Sequence, residues 1–266
     1  MPHITINNVQ IYYEEYGSGA ETIVFSHGLL WSGKMFLNQV EALKNRYRCI
    51  IYDHRGQGQS QKTTEGLDMD TLTEDAVALI KALNAAPCHF AGLSMGGFVA
   101  MRLGARHPEL LRSVILLETS ADAEPTENVP RYTTLNNVVR WLGTWAVAKP
   151  VMKIMFGQKI LQDSTRKELV KKWKKELINN PSTITRAVKG VIERKPIFDE
   201  LKNIQLPTLI IVGDQDVATV PAKSERIKSQ IPQAQLVIIE GAGHSSSIEE
   251  PEQVNKAIES FLNQHS

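Results

Sequence analysis

Cysteine is nearly missing from this chain. Cys49 and Cys88 are the only two in 266 residues, too few for a disulfide framework, and each lies in or beside an apolar run, which predicts buried free thiols in a reducing compartment. Neither sign of charge dominates. Thirty Lys and Arg against 29 Asp and Glu leave a formal +1, which excludes an electrostatic nucleic-acid binder. A 22% charged and 42% hydrophobic composition excludes a disordered chain. No apolar run approaches the roughly 18 uninterrupted residues that a membrane-crossing helix needs, and residues 1–16 show neither the basic nor the apolar segment of a secretory leader. The expectation is a cytoplasmic protein with no membrane and no nucleic acid among its partners. Internal repeats and low-complexity tracts are missing too. No Cys/His cluster has metal-ligand spacing, and Asp53, His54 and His27 do not form a zinc motif. Neither a metal nor a cofactor is expected.

What is present is strand alternating with helix. Runs at 4–7 and 11–16, parted by Asn7-Asn8, read as a hairpin. Compact apolar runs at 22–25, 49–52, 89–91, 114–117, 208–212 and 236–239 read as parallel strands buried on both faces. Between them, 70–83 and 96–106 carry helical spacing, and Pro251 opens a last helix with Val254, Ile258, Phe261 and Leu262 on one face. Regular succession of this kind predicts an α/β, doubly wound sheet. The regularity stops between 121 and 200, where the pattern is helical throughout and 15 Lys and Arg face 9 Asp and Glu. This predicts a helical insertion, giving a core of 1–120 and 201–266 with a cap of 121–200. The Lys171, Lys172, Lys174 and Lys175 run reads as a solvated face.

The chemistry-bearing signal is Gly92-Leu93-Ser94-Met95-Gly96. It follows an apolar strand and opens a helix, the context in which a strained turn presents a serine hydroxyl beside a helix N-terminus. A serine hydroxyl is a weak nucleophile and needs a base, and the base needs an orienting acid. His244, in a polar loop before the last helix, is the leading base, since His3 and His265 are terminal, His89 and His107 look structural, and His27 and His54 come too early in the chain. For the acid, Asp216 is preferred over Asp214 in Gly213-Asp214-Gln215-Asp216, with Glu118 at the end of another strand as a third candidate. An oxyanion calls for two backbone donors: the Met95 N–H after the nucleophile, and the Leu29 N–H after Gly28. The glycine-rich 53–60 segment lacks the ending of a phosphate-binding loop and reads as structural. Trp31, Trp141, Trp145 and Met155, with Leu29, Met95, Met152 and Phe156 beside them, are candidate walls of a substrate pocket, and Arg194 or Lys195 could meet a substrate carboxylate.

Together Ser26-His27-Gly28, the 53–60 segment, Gly92 to Gly97, Gly213 to Asp216 and Gly241-Ala242-Gly243-His244 resemble the α/β-hydrolase superfamily over nearly the whole chain. The text is similar to small cap-bearing serine esterases, non-haem haloperoxidase-like hydrolases and 3-oxoadipate enol-lactone hydrolases. The resemblance implies an eight-stranded, mostly parallel sheet with a cap after the sixth strand. It also implies a Ser94, Asp216, His244 triad that cleaves small to medium carboxylic esters or lactones through an acyl-enzyme. Two alternatives stand beside that: a carbon–carbon hydrolase or perhydrolase using the same side chains, and a small-ligand receptor with slow turnover on the same scaffold. A haloalkane dehalogenase is disfavoured, because its nucleophile would be an aspartate where Ser94 stands.

Overall fold

The computed structural model describes residues 2–265. Eight strands, β1 (His3–Ile6), β2 (Val9–Tyr16), β3 (Glu21–Ser26), β4 (Tyr47–Tyr52), β5 (Cys88–Leu93), β6 (Leu111–Leu117), β7 (Thr208–Gly213) and β8 (Gln235–Ile239), form one sheet in the order β1-β2-β4-β3-β5-β6-β7-β8. From β4 to β8 every pairing is parallel, and β1 and β2 join antiparallel at one edge. The hairpin between them turns at Asn7 and Asn8, both with positive φ, a conformation that asparagine tolerates better than other side chains with a Cβ.

The central strands are apolar on both faces because both faces are covered. Ile23, Phe25, Ile115, Leu117, Leu209 and Ile211 point into one hydrophobic layer. Their chain neighbours Val24, Val114, Leu116 and Ile210 point into the other, as the two-residue period of a strand requires. At the outer edge β8 departs from the sequence expectation of a strand buried on both sides: Ile238 is exposed, on a strand that pairs on one side only.

Core helices α1 (Leu37–Leu43), α2 (Met69–Ala82) and α3 (Met95–Arg106) follow β3, β4 and β5. Asp68 caps α2 by accepting from the Thr71 N–H. Five helices lie between β6 and β7: α4 (Val129–Leu142), α5 (Ala148–Met155), α6 (Gln158–Gln162), α7 (Lys167–Ile178) and α8 (Ile184–Ile192). They form the cap. The chain closes with α9 (Pro221–Gln230), α10 (Ser246–Glu249) and α11 (Pro251–Leu262). Among the described residues no helix is long and apolar enough to cross a membrane.

Strand order dictates where a site can form. The chain runs from β3 out to β4 on one side and then returns to β5 on the other, so loops leaving β3 and β5 diverge and open a crevice at the carboxyl ends of the strands. Ser94 directly follows β5, and Leu29 lies just beyond β3.

Candidate active site

Ser94 sits in the sharp turn from β5 into α3 with φ 53° and ψ −109°, a backbone region that residues with a Cβ rarely occupy. The turn is held from beneath. Ser94 N–H donates to Leu117 O at 2.8 Å, and Thr119 Oγ1 donates to Ser94 O at 2.9 Å. Gly96 is required by close approach, since a Cβ there would run into the Ser26 carbonyl oxygen. Met95 is the first residue of α3, and its N–H lies among those that a helix leaves without an intrahelical acceptor.

His244 and Asp216 arrive from loops after β8 and β7. Ser94 Oγ and His244 Nε2 are 2.8 Å apart, and His244 Nδ1 and Asp216 Oδ2 are 2.9 Å apart. Asp216 also accepts from Ala218 N–H at 2.8 Å, Thr219 N–H at 3.0 Å and Thr219 Oγ1 at 2.7 Å. Burial alone would raise the Asp216 pKa. The adjacent His244 and the Thr219 donors outweigh it and hold the carboxyl below its ordinary range. An ionised carboxylate only accepts, so His244 donates from Nδ1, which leaves Nε2 as the acceptor for the Ser94 hydroxyl. Thr219, which braces this carboxylate, was not singled out from the sequence; a hydroxyl residue three positions after a loop aspartate is the signal that was there.

The other two acid candidates sit elsewhere. Asp214 Oδ1 accepts from Gly241 N–H at 2.8 Å, tying the β7 turn to the β8 loop. Glu118 is fully buried with φ 39°, and both carboxyl oxygens lack a hydrogen-bond partner. Burial, with Asp216 and Glu249 nearby, pushes its pKa well above the carboxylate range.

Glu249 is a second residue that sequence reasoning missed. It is wholly buried, and one oxygen accepts from Gly243 N–H at 3.0 Å and Ser245 N–H at 3.1 Å, the residues on either side of His244. The other accepts from Gly157 N–H of the cap at 2.8 Å. Burial pushes this carboxyl up to about 7 in spite of the three donors. One side chain thus ties the histidine loop to the cap; an acid among small residues just before Pro251 was the available signal.

The loop after β3 is shaped by buried histidines. His54 N–H donates to His27 Nε2 at 2.9 Å, so His27 carries its proton on Nδ1 and donates to Gly28 O at 2.7 Å. Burial lowers the pKa of both rings, which keeps them neutral. Gly28 N–H points to Met35 Sδ, and Leu30 N–H donates to Gln57 Oε1 at 3.1 Å, with the Leu29 N–H between them. A Cβ built on Gly28 would lie 3.6 Å from Ser94 Cβ, which puts this loop beside the serine. The 53–60 segment therefore works as scaffold for that loop: Asp53 Oδ1 accepts from Gly33 N–H at 2.8 Å and Oδ2 from Gln59 N–H at 2.7 Å.

Ser94 and His244 open onto a cavity of about 150 Å³ between core and cap, the scale of a void that takes a benzene-sized guest. Leu29, Leu30 and Phe98 line it from the core, and Leu135, Val139, Val147, Val151, Ile154, Met155, Leu177 and Val188 from the cap. Of the proposed walls, Met155 and Leu29 are brought to the cavity and three tryptophans are not. Trp141 is 80% and Trp145 64% exposed. On α4 the cavity-facing positions are 132, 135, 136 and 139, and Trp141, two residues beyond the last of these, lies roughly 200° around the helix. Trp31 is 3% exposed and stacks edge-on against Trp173 and Phe156 at 5.2 and 6.0 Å, bracing the cap from beneath. Met95 in the core, and Met152 and Phe156 in the cap, are buried outside the wall. Lys195 is exposed and outside it as well, while Arg194 is part of it.

Comparison with known proteins gives the same architecture. The AB hydrolase superfamily protein YisY of Bacillus subtilis is 31% identical over 263 residues, covering 97% of each chain. The solved thermophilic esterase of Thermogutta terrifontis superposes with a TM-score of 0.91 at 27% identity, covering 100% of this chain and 99% of that one. The enol-lactonase of Burkholderia xenovorans LB400 gives 0.91 at 27% identity, with 98% and 100% covered. The family model for the alpha/beta hydrolase fold matches residues 21–251. With this sheet, a cap inserted after the sixth strand and a serine on the turn after β5, the chain belongs to the α/β-hydrolase superfamily.

Proposed function

We propose that the protein is a serine hydrolase of small to medium carboxylic esters or lactones, with Ser94 as nucleophile, His244 as base and acid, and Asp216 as the orienting carboxylate. The observation that carries this reading is the unbroken relay from Asp216 Oδ2 through His244 to Ser94 Oγ, at 2.9 and 2.8 Å, ending at an apolar cavity. His244 Nε2 takes the hydroxyl proton as Ser94 Oγ bonds to the substrate carbonyl carbon. The Leu29 and Met95 N–H groups donate to the carbonyl oxygen as negative charge develops on it, reinforced by the N-terminus of α3. Collapse breaks the bond to the alkoxy oxygen, which leaves with the proton from His244. Water then attacks the acyl carbon, gives its proton to His244, and the acid departs as Ser94 Oγ is reprotonated. The carboxylate of Asp216 stays ionised throughout and stabilises the imidazolium. Cys49 and Cys88, both buried and free, suit a reducing cytoplasm.

Ser94→Ala tests the assignment: the folded variant should lose multiple turnover on p-nitrophenyl esters and covalent labelling by a fluorophosphonate. Persistent labelling in that variant refutes it. A single turnover with retained product in the native protein would instead mark a ligand receptor.

A further inference from the structure

Among the described residues that line the cavity, Arg194 is the single cation, and it is already paired with a carboxylate. Arg194 Nη1 donates to Glu124 Oε2 at 2.7 Å and to Val191 O at 3.0 Å, while Nε donates to Asp122 O at 3.1 Å. The Phe98 ring covers the guanidinium, 4.5 Å from its carbon. The Arg194 and Glu124 side chains are 5% and 10% exposed, so the pair is desolvated and neutral overall. Asp122 is itself anchored by Lys223 Nζ at 2.8 Å and Arg226 Nε at 3.1 Å, which fixes that end of the pair from the core. An entering carboxylate would meet a cation already neutralised by Glu124, a like charge beside it, and no second cation among the described residues of the wall. Losing water without gaining a counter-charge is heavily unfavourable for a carboxylate. A terminal methyl group finds apolar side chains there, among them Leu135, Val139 and Val188.

We infer that this pocket takes neutral acyl groups, short aliphatic or aromatic, and rejects acyl groups that carry a free carboxylate, with the Glu124–Arg194 pair as the specificity-determining element. The inference rests on the hydrolytic reading of Ser94. Its test compares p-nitrophenyl butyrate with mono-p-nitrophenyl succinate, in which a carboxylate replaces the terminal methyl. The native enzyme should show kcat/KM about a hundredfold higher for the butyrate; equal values, or a preference for the succinate, overturn the inference. Calorimetric binding of the same two esters to Ser94→Ala reads selectivity with no turnover. Preferential binding of the butyrate by that variant supports the inference even if the native protein hydrolyses neither ester. Equal binding refutes it even if Ser94 is the nucleophile. Glu124→Gln frees Arg194 and should move the kcat/KM ratio toward the succinate by about tenfold; a folded variant with an unmoved ratio removes the pair from its role. If Glu124→Gln does not fold, Glu124→Ala frees Arg194 in the same way and should move the ratio in the same direction; a folded Glu124→Ala with an unmoved ratio counts against the inference.

Discussion

At the scale of single residues, the site depends on groups whose charge state is set by neighbours. Asp216 stays ionised while buried because His244 and Thr219 compensate its lost hydration. Asp216→Asn would present the wrong hydrogen-bond partner to Nδ1 and favour the other imidazole tautomer. Steady-state kinetics should show kcat falling about 10⁴-fold with the fold intact. Thr219→Val, which removes one of the donors to the carboxylate, should give a smaller loss, about tenfold, and move the acid limb of the pH–rate profile upward. Gly96 is as indispensable as any side chain in the relay: Gly96→Ala would drive its Cβ into the Ser26 carbonyl. The expected result is a lowered thermal midpoint together with lost fluorophosphonate labelling.

Secondary-structure elements decide which side chains can reach substrate. On α4 and the turn after it, Val139 and Val147 face the cavity while Trp141 and Trp145 face solvent. Trp141→Ala should therefore leave KM within about twofold for any ester, a surface substitution away from packed contacts. Val139→Phe should raise KM for longer acyl chains while sparing acetate esters, which a chain-length panel would reveal. The Trp141 and Trp145 expectation failed because aromatic residues at helical spacing announce an amphipathic helix without saying which stripe of it faces inward. Met155 lies on the inward stripe of α5, Leu29 in the loop after β3 and Trp31 beneath the cap. Pocket walls drawn from residues far apart in the chain carry no local periodicity to read.

For the molecule as a whole, core and cap are joined by directed bonds, among them Glu249 accepting from Gly157 N–H and Asn180 Nδ2 donating to Leu30 O at 2.9 Å. Glu249 has a raised pKa, about 7 against an ordinary 4.5, so the folded state holds a proton that the unfolded state releases. Its contribution to stability is full below pH 4.5 and is lost as pH rises toward about 7. In urea titrations, the stability of the native protein relative to Glu249→Gln should fall by about 3 kcal/mol across that window and level off above it. A difference that does not vary with pH would mean that folding leaves the Glu249 pKa unshifted.

By itself the sequence determined the alternation of strand and helix, the strained serine turn and the order in which the candidate side chains occur. Each of these is written in local periodicity, in glycine placement or in short spacing, and local sterics enforce them wherever the chain folds. Only the tertiary structure decided among Asp216, Asp214 and Glu118 as partner of His244, because the choice depends on how loops from β7 and β8 lie across a sheet edge. It also decided that Arg194 is spoken for by Glu124, 70 residues away in the chain. Charge compensation in a desolvated pocket is a property of distance in space, which linear order does not encode.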